Sequence, residues 1–348
     1  MGAMTKPVIL TGIRANHDLT IGNYFGSILP IIDMAKSRSA DYQINMFIPD
    51  LHSFTTPIDH DQLFDQILHN ARLFVAAGLP IDNDGIYLYR QSYIPAHSEL
   101  TLILDCFTGF GEMNRMTQFK EKSSSLEGDR TSVGLFNYPV LMSADILLYG
   151  AKFVPVGDDQ SQHLEFTRDI AERINKRFGD IFIIPEAVMA QHEFFGNDQG
   201  LRIMDLIDPT KKMSKSDESG RGVIFLGDDP KVAAKKVMGA TTDNLASVHF
   251  DRDLQPGISN LLEILALLQG VDRDRVVAQF EGQNSYGDFK SIVASEVEMF
   301  LTEFQAKLAE VDDSAVLAKL ERSEADLAVT ANATLLRVQQ AVGLRRAN

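Results

Sequence analysis

Val8-Ile9-Leu10-Thr11-Gly12-Ile13-Arg14-Ala15-Asn16-His17-Asp18-Leu19-Thr20-Ile21-Gly22-Asn23 is the stretch on which the fold turns. Its apolar run over 8–11 predicts a strand, the polar stretch over 12–20 a loop, and helical apolar spacing sets in at 22 and runs to 37. Strand, loop and helix in that order form the repeating unit of a parallel sheet. The unit recurs downstream. Further strands are expected over 43–48, 85–90, 152–156 and 182–184, with helices over 61–77, 98–107, 139–149 and 160–177 between them. The fold class that follows is α/β, a doubly wound parallel sheet. Such sheets take ligands beyond the carboxyl ends of their strands, so the loops over 12–20, 49–53 and 157–160 should face one crevice.

Past residue 222 the strand signals fade, and the spacing over 229–238, 258–268, 271–280 and 286–309 is helical. We therefore expect a sheet domain over 5–221, an all-helical domain over 222–314, and a last helix, roughly 315–342, whose attachment the pattern leaves open within 315–348.

With 348 residues, 45% of them hydrophobic, the chain is long enough for one sizeable core and a second smaller one. No apolar run approaches the roughly 20 residues a bilayer demands, so no membrane span is expected. The opening Met1-Gly2-Ala3-Met4 lacks an export pattern and reads as an expression scar before a second start Met. One cysteine, Cys106, excludes an internal disulfide and any multi-cysteine metal site. A cytoplasmic location follows, and any metal is expected to arrive with a nucleotide rather than to sit in a protein site. The net charge of −15 is a poor footprint for coating nucleic acid. Cations nonetheless cluster locally, at Arg115, Lys120 and Lys122 and again at Lys211, Lys212 and Lys215, so positive surfaces can coexist with an acidic body.

Lys212-Met213-Ser214-Lys215-Ser216, followed by Asp217-Glu218-Ser219-Gly220, is the sharpest local signal. Two lysines three apart among Ser and Gly suit a loop that closes on a polyphosphate, because ammonium groups stabilise charge developing on phosphoryl oxygens. A solvated basic loop is the plain alternative. The five letters match the KMSKS signature of class I aminoacyl-tRNA synthetases, and Thr20-Ile21-Gly22-Asn23 stands where that class carries its HIGH motif. A helix start offers N–H groups to phosphate there, and Gly22 lets a flat base approach the backbone.

Four more stretches resemble bacterial tryptophanyl-tRNA synthetases: residues 111–123 from Gly111 to Ser123, residues 138–149 from Tyr138 to Tyr149, Val156-Gly157-Asp158-Asp159-Gln160 with Gln162-His163, and Pro256-Gly257-Ile258-Ser259-Asn260. The resemblance covers residues 8–343 and implies a Rossmann-type catalytic domain, a helical anticodon-binding domain, ATP and Mg²⁺ as cofactors, L-tryptophan and tRNA(Trp) as partners, and a homodimer.

By the same resemblance, Asp145 would accept the indole N–H. A carboxylate in an otherwise apolar helix needs a donor, and the indole nitrogen is donor only. Met142 would pack on the ring, Tyr138 and Gln160 would hold the ammonium, and His52 would stand near the carboxylate. For ATP the resemblance points to Arg14, Thr20, Gly22, Asn23, Gly157, Asp159, Ile203, Lys212, Lys215 and Ser216, with Arg202, Ile203 and Met204 reading adenine through the backbone. Lys122, Lys212, Lys215 and Asn23 would carry the catalytic charge stabilisation. One departure stands out. Arg14-Ala15-Asn16-His17 replaces the family's Gln-Pro-Ser/Thr-Gly, placing a permanently charged fork near the α-phosphate, with tighter substrate binding and slower turnover as the expected consequence. Two rival readings are a related enzyme charging tyrosine and a non-catalytic paralogue that binds nucleotide or RNA.

Overall fold

A computed structural model describes residues 6–12, 19–55, 58–120, 132–157, 160–196, 203–214 and 220–346. Strand β1 (Val8–Gly12) pairs in parallel with β2 (Gln43–Ile48) on one side and β4 (Ala151–Phe153) on the other, and β2 pairs with β3 (Ile86–Arg90). The order β3-β2-β1-β4 reverses direction between β1 and β4, the point at which a doubly wound sheet opens a crevice. Side chains alternate across the sheet as strand geometry requires. Ile9, Ile44, Met46, Ile48, Ile86 and Leu88 join one apolar cluster, whereas Leu10, Phe47 and Tyr89 join the other.

The first helix, α1, opens at Ile21–Asn23, passes through a π-turn at Tyr24–Ile28, and continues as Leu29–Arg38. Then come α2 (Asp50–Ser53), α3 (Leu63–Ala76), α4 (Ala96–Asp105), α5 (Phe110–Met113), α6 (Val133–Leu148), α7 (Ser161–Phe178) and α8 (Val188–Phe195). Thus the segment after β2, expected as a loop, makes a short helical turn. Helix α6 also starts earlier than expected. It runs on through Pro139 and is capped by Ser132, whose Oγ accepts from Leu135 N at 3.1 Å.

The strand expected over 182–184 does not form. Asn175 takes both backbone groups of Phe182, accepting from its N–H at 2.9 Å and donating to its carbonyl at 2.8 Å, so neither is left for a neighbouring strand. Ile183 is moreover 58% exposed. Strand β4 is also short, because Val154 N donates to the Gln191 side chain at 3.0 Å and leaves the sheet.

Downstream lie α9 (Pro230–Met238), α10 (Pro256–Gln269), α11 (Arg273–Gln279), α12 (Tyr286–Ala309) and α13 (Asp313–Ala341), a helical half as expected. It leans on α1: Phe300 and Phe304 of α12 meet the Tyr24 ring at 5.2 and 5.4 Å between centroids. Helix α13 lies along β3. Its Ser323 Oγ and Glu324 carboxylate accept the N–H groups of Leu88 and Arg90, at 3.2 and 3.1 Å, from the outermost strand of the sheet. Glu324 also grips the Arg90 guanidinium at 2.7 and 2.8 Å. Val316 and Leu320, early in α13, belong to the apolar cluster shared with the helical half, whereas Leu327, Ala331, Leu335 and Val338 belong to the other. No described helix is long and apolar enough to cross a membrane.

Candidate active site

A cavity of about 420 Å³ opens beyond the carboxyl ends of β1, β2 and β4, within the size range of small-molecule sites. Thr11 and Gly12 from β1, Phe47 from β2 with Pro49 after it, and Val154 to Gly157 after β4 form three of its sides. Helix α6 supplies Tyr138, Met142 and Ile146, α2 supplies His52, and Gln160 stands at the start of α7. Four of the five residues assigned to tryptophan by resemblance, and Gly157 as well, therefore line one space. They share it because α6 points its successive turns, Tyr138, Met142 and Ile146, at the same side.

Asp145 is not among the lining residues. It is buried, 1% exposed, on the inner side of α6, where protein donors already meet it. Oδ1 accepts from Gln91 Nε2 at 2.7 Å and pairs with His97 Nδ1 at 2.6 Å, while Oδ2 pairs with His52 Nε2 at 2.9 Å. Burial would raise the Asp145 carboxyl, but the hydrogen bonds from His52 and His97 and the attraction of those rings outweigh it and hold the group at about 2. The carboxylate is thus ionised and acceptor-only, so both imidazoles must turn a proton toward it. On its far side His97 Nε2 meets the Tyr149 hydroxyl at 2.8 Å, and burial pushes that phenol well up. His52, expected near the substrate carboxylate, lines the cavity and meets Asp145 Oδ2 through Nε2.

Gln91 and His97 escaped the sequence reading. The usable signal was their position, just past the carboxyl end of β3.

On the nucleotide side, Thr20 caps α1. Its Oγ1 accepts from Asn23 N at 3.1 Å, and Asn23 Oδ1 accepts from Thr20 N at 3.1 Å, a reciprocal box. Thr20 is 1% exposed, and its hydroxyl is used inward, donating to Asn23 Oδ1. Thr20 and Asn23, both expected to meet ATP, thus hold each other at the start of α1. Gly22 sits under both signature motifs: a Cβ there would lie 3.4 Å from Thr20 Oγ1, 3.7 Å from Ile203 Cβ and 4.0 Å from Met213 Cβ. Ile203 and Met213 are joined by a backbone bond, Met213 N to Ile203 O, at 3.0 Å. Lys212 is exposed beside the buried Met213. Arg14, Lys122, Asp159, Arg202, Lys215 and Ser216 lie outside the described residues.

The stretch Pro256-Gly257-Ile258-Ser259-Asn260 finds its reason here. Asn260, 3% exposed on α10, accepts from Met204 N at 2.8 Å through Oδ1 and donates to Met204 O at 2.9 Å through Nδ2. One amide thereby fixes both backbone groups of Met204 from the helical half. Gly257 in the same stretch lets Thr241 lie against α10, because a Cβ there would fall 2.0 Å from Thr241 O.

Comparison with known proteins agrees with this geometry. The family described as tRNA synthetases class I (W and Y) matches residues 4–302. A tryptophan--tRNA ligase of Corynebacterium efficiens is 46% identical over 309 residues, covering 88% of this chain and 85% of its own length. A crystal structure of tryptophanyl-tRNA synthetase from Mycoplasma pneumoniae aligns with a TM-score of 0.83 at 34% identity, covering 98% of this chain and 99% of that one. A Campylobacter jejuni tryptophanyl-tRNA synthetase complexed with ADP and tryptophan aligns at 0.79 with 29% identity, covering 97% and 99%.

Proposed function

Because the chain belongs to the class I tRNA synthetases for tryptophan and tyrosine, in their bacterial-type tryptophanyl branch, we propose a division of labour among its residues for charging tRNA with tryptophan. The reaction is ATP-dependent. A carboxylate oxygen of tryptophan attacks the α-phosphorus, the bond to the β-phosphate oxygen breaks, and pyrophosphate leaves a tryptophanyl-adenylate. A ribose hydroxyl at the 3′ end of tRNA(Trp) then attacks the acyl carbon and AMP departs. No protein nucleophile takes part, so the chain's contribution is positioning and charge stabilisation.

In this reading tryptophan occupies the cavity beyond β1, β2 and β4. Met142 lies against the indole, Tyr138 and Gln160 hold the ammonium, His52 closes the wall beside the ring, and Asp145 behind it accepts the ring N–H. Adenine lies over Gly22 against the backbone of Ile203 and Met204, and the ribose reaches Gly157 and Asp159. Asn23, Arg14 and the lysines at 122, 212 and 215 face the phosphates. Mg²⁺ enters as the counter-ion of the substrate, as MgATP. The helical half over 222–314 would read the anticodon, with the catalytic domain over 5–221. Phe110, Leu102 and Val133, which are 73%, 67% and 81% exposed near the 111–122 segment, support a homodimer formed there. The work belongs in the cytoplasm, where tRNA is charged.

The observation that carries the reading is the convergence of Tyr138, Met142, Gln160 and His52 on one cavity in front of a buried, ionised Asp145. Amino-acid-dependent exchange of pyrophosphate into ATP tests it. Exchange with tryptophan and little with tyrosine is expected; equal exchange with both, or none, would overturn the assignment. The chain has no tryptophan of its own, so indole fluorescence reports the added ligand directly.

A further inference from the structure

The two oxygens of Asp145 are held unequally. Oδ1 takes two donors that are both fully buried, Gln91 and His97. Each is anchored from behind: Gln91 Oε1 accepts from Leu51 N at 3.2 Å, and His97 Nε2 meets Tyr149. Oδ2 takes one donor among the described residues, His52, and that residue is part of the cavity wall. A carboxylate accepting three bonds still has lone-pair capacity, but a hydrogen-bond donor in the cavity meets His52 before it meets Oδ2.

We infer that Gln91 and His97 are positioning residues that lock Oδ1 and turn Oδ2 toward the cavity, and that His52 is the exchangeable donor on Oδ2, displaced by the ring N–H of the substrate. This rests on the tryptophan reading above. His52 then acts as a built-in competitor. A ligand with a ring N–H exchanges one charge-assisted bond for another, whereas an isosteric ring without one leaves the His52 bond in place. The discrimination between the two is therefore smaller than a pre-opened Oδ2 would give. Locking Oδ1 keeps the ordering cost low, because a carboxylate free to rotate would have to be fixed at each binding event.

The test compares tryptophan with its analogue in which sulfur replaces the ring N–H, by pyrophosphate exchange, in the full chain and its variants. His97→Leu should lower kcat/KM for tryptophan by about ten- to a hundredfold, the scale of a bond to a charged group, while kcat/KM for the sulfur analogue and KM for ATP change little. His97→Asn, which keeps a donor near the Nδ1 position, should recover most of the loss. His52→Leu should act in the opposite sense and widen the preference for tryptophan over the analogue. Parallel losses on both substrates, or an unchanged ratio in His97→Leu and His52→Leu, overturn the inference. Should His97→Leu fail to fold, Gln91→Leu carries the same expectation. Asp145→Asn separates the two levels: if it leaves the preference intact, the tryptophan reading of Asp145 itself falls, whereas if it abolishes the preference and the histidine variants do not alter it, only the positioning inference falls.

Discussion

Asn260→Leu removes an amide of nearly the same shape while leaving Met204 N–H and C=O without their partner. Each amide-to-backbone bond is worth about 1 kcal/mol net, and more where the orphaned group is shut away from water. Met204 is half-buried, so water recovers part of the loss, and a total of about 2 kcal/mol is expected for the two bonds at 2.8 and 2.9 Å. If bound ATP needs the Ile203–Met204 backbone in its tethered position, that energy appears in ATP affinity as a roughly 30-fold rise in KM, at 1.4 kcal/mol per decade. Tryptophan should be unaffected, because Asn260 makes none of its hydrogen bonds to the residues of the 420 Å³ cavity. Asn260→Asp keeps the acceptor for Met204 N–H but sets an anion against the Met204 carbonyl, so it should behave no better than Leu. Pyrophosphate exchange with each substrate varied in turn gives both constants. An ATP KM within twofold of the parent, or a matched rise in the tryptophan KM, would refute the reasoning.

Three further outcomes follow from distances already given. Gly22→Ala should melt within a degree or two of the parent, since its methyl meets no protein atom closer than 3.4 Å, yet raise the ATP KM by about tenfold where the base must lie; thermal denaturation and exchange kinetics read the two separately. Asp145 is depressed from 3.8 to about 2, so the stability it contributes is fully present above about pH 4 and is lost as pH falls toward about 2. That loss amounts to about 2 kcal/mol, and Asp145→Asn should flatten the acid limb of a denaturation curve followed by circular dichroism. Arg90→Met leaves the buried Glu324 carboxylate with the residue-90 N–H but without its counter-ion and should cost about 3 kcal/mol in urea unfolding, with the double change Arg90→Met and Glu324→Gln regaining more than half.

Most of the sheet was readable because its strands are continuous apolar runs ended by polar loops, and family resemblance singled out Tyr138, Met142 and Gln160, which line one cavity. What failed was side-chain geometry. The apolar letters at 182–184 promise a strand, and only the Asn175 side chain, which bonds both backbone groups of Phe182, removes it. Asp145 visibly needed a donor, but that its donors would be His52, His97 and Gln91 depends on the exits of β2 and β3 converging on α6, which no window of sequence contains. Thr20 and Asn23 were placed correctly at the helix start; their mutual bonding, which turns Thr20 inward, is a matter of rotamers that letters do not encode.

The dependence of β3 on Ser323 and Glu324 has a consequence for synthesis. The amides of Leu88 and Arg90 receive their acceptors from residues 235 and 234 positions further along. A nascent chain leaving the ribosome therefore carries a bare sheet margin until Ser323 and Glu324 have been made. Any product released early presents a ready template for pairing with another chain. Premature termination within α13 ahead of Ser323 should therefore yield aggregates that engage chaperones rather than a shortened but working enzyme.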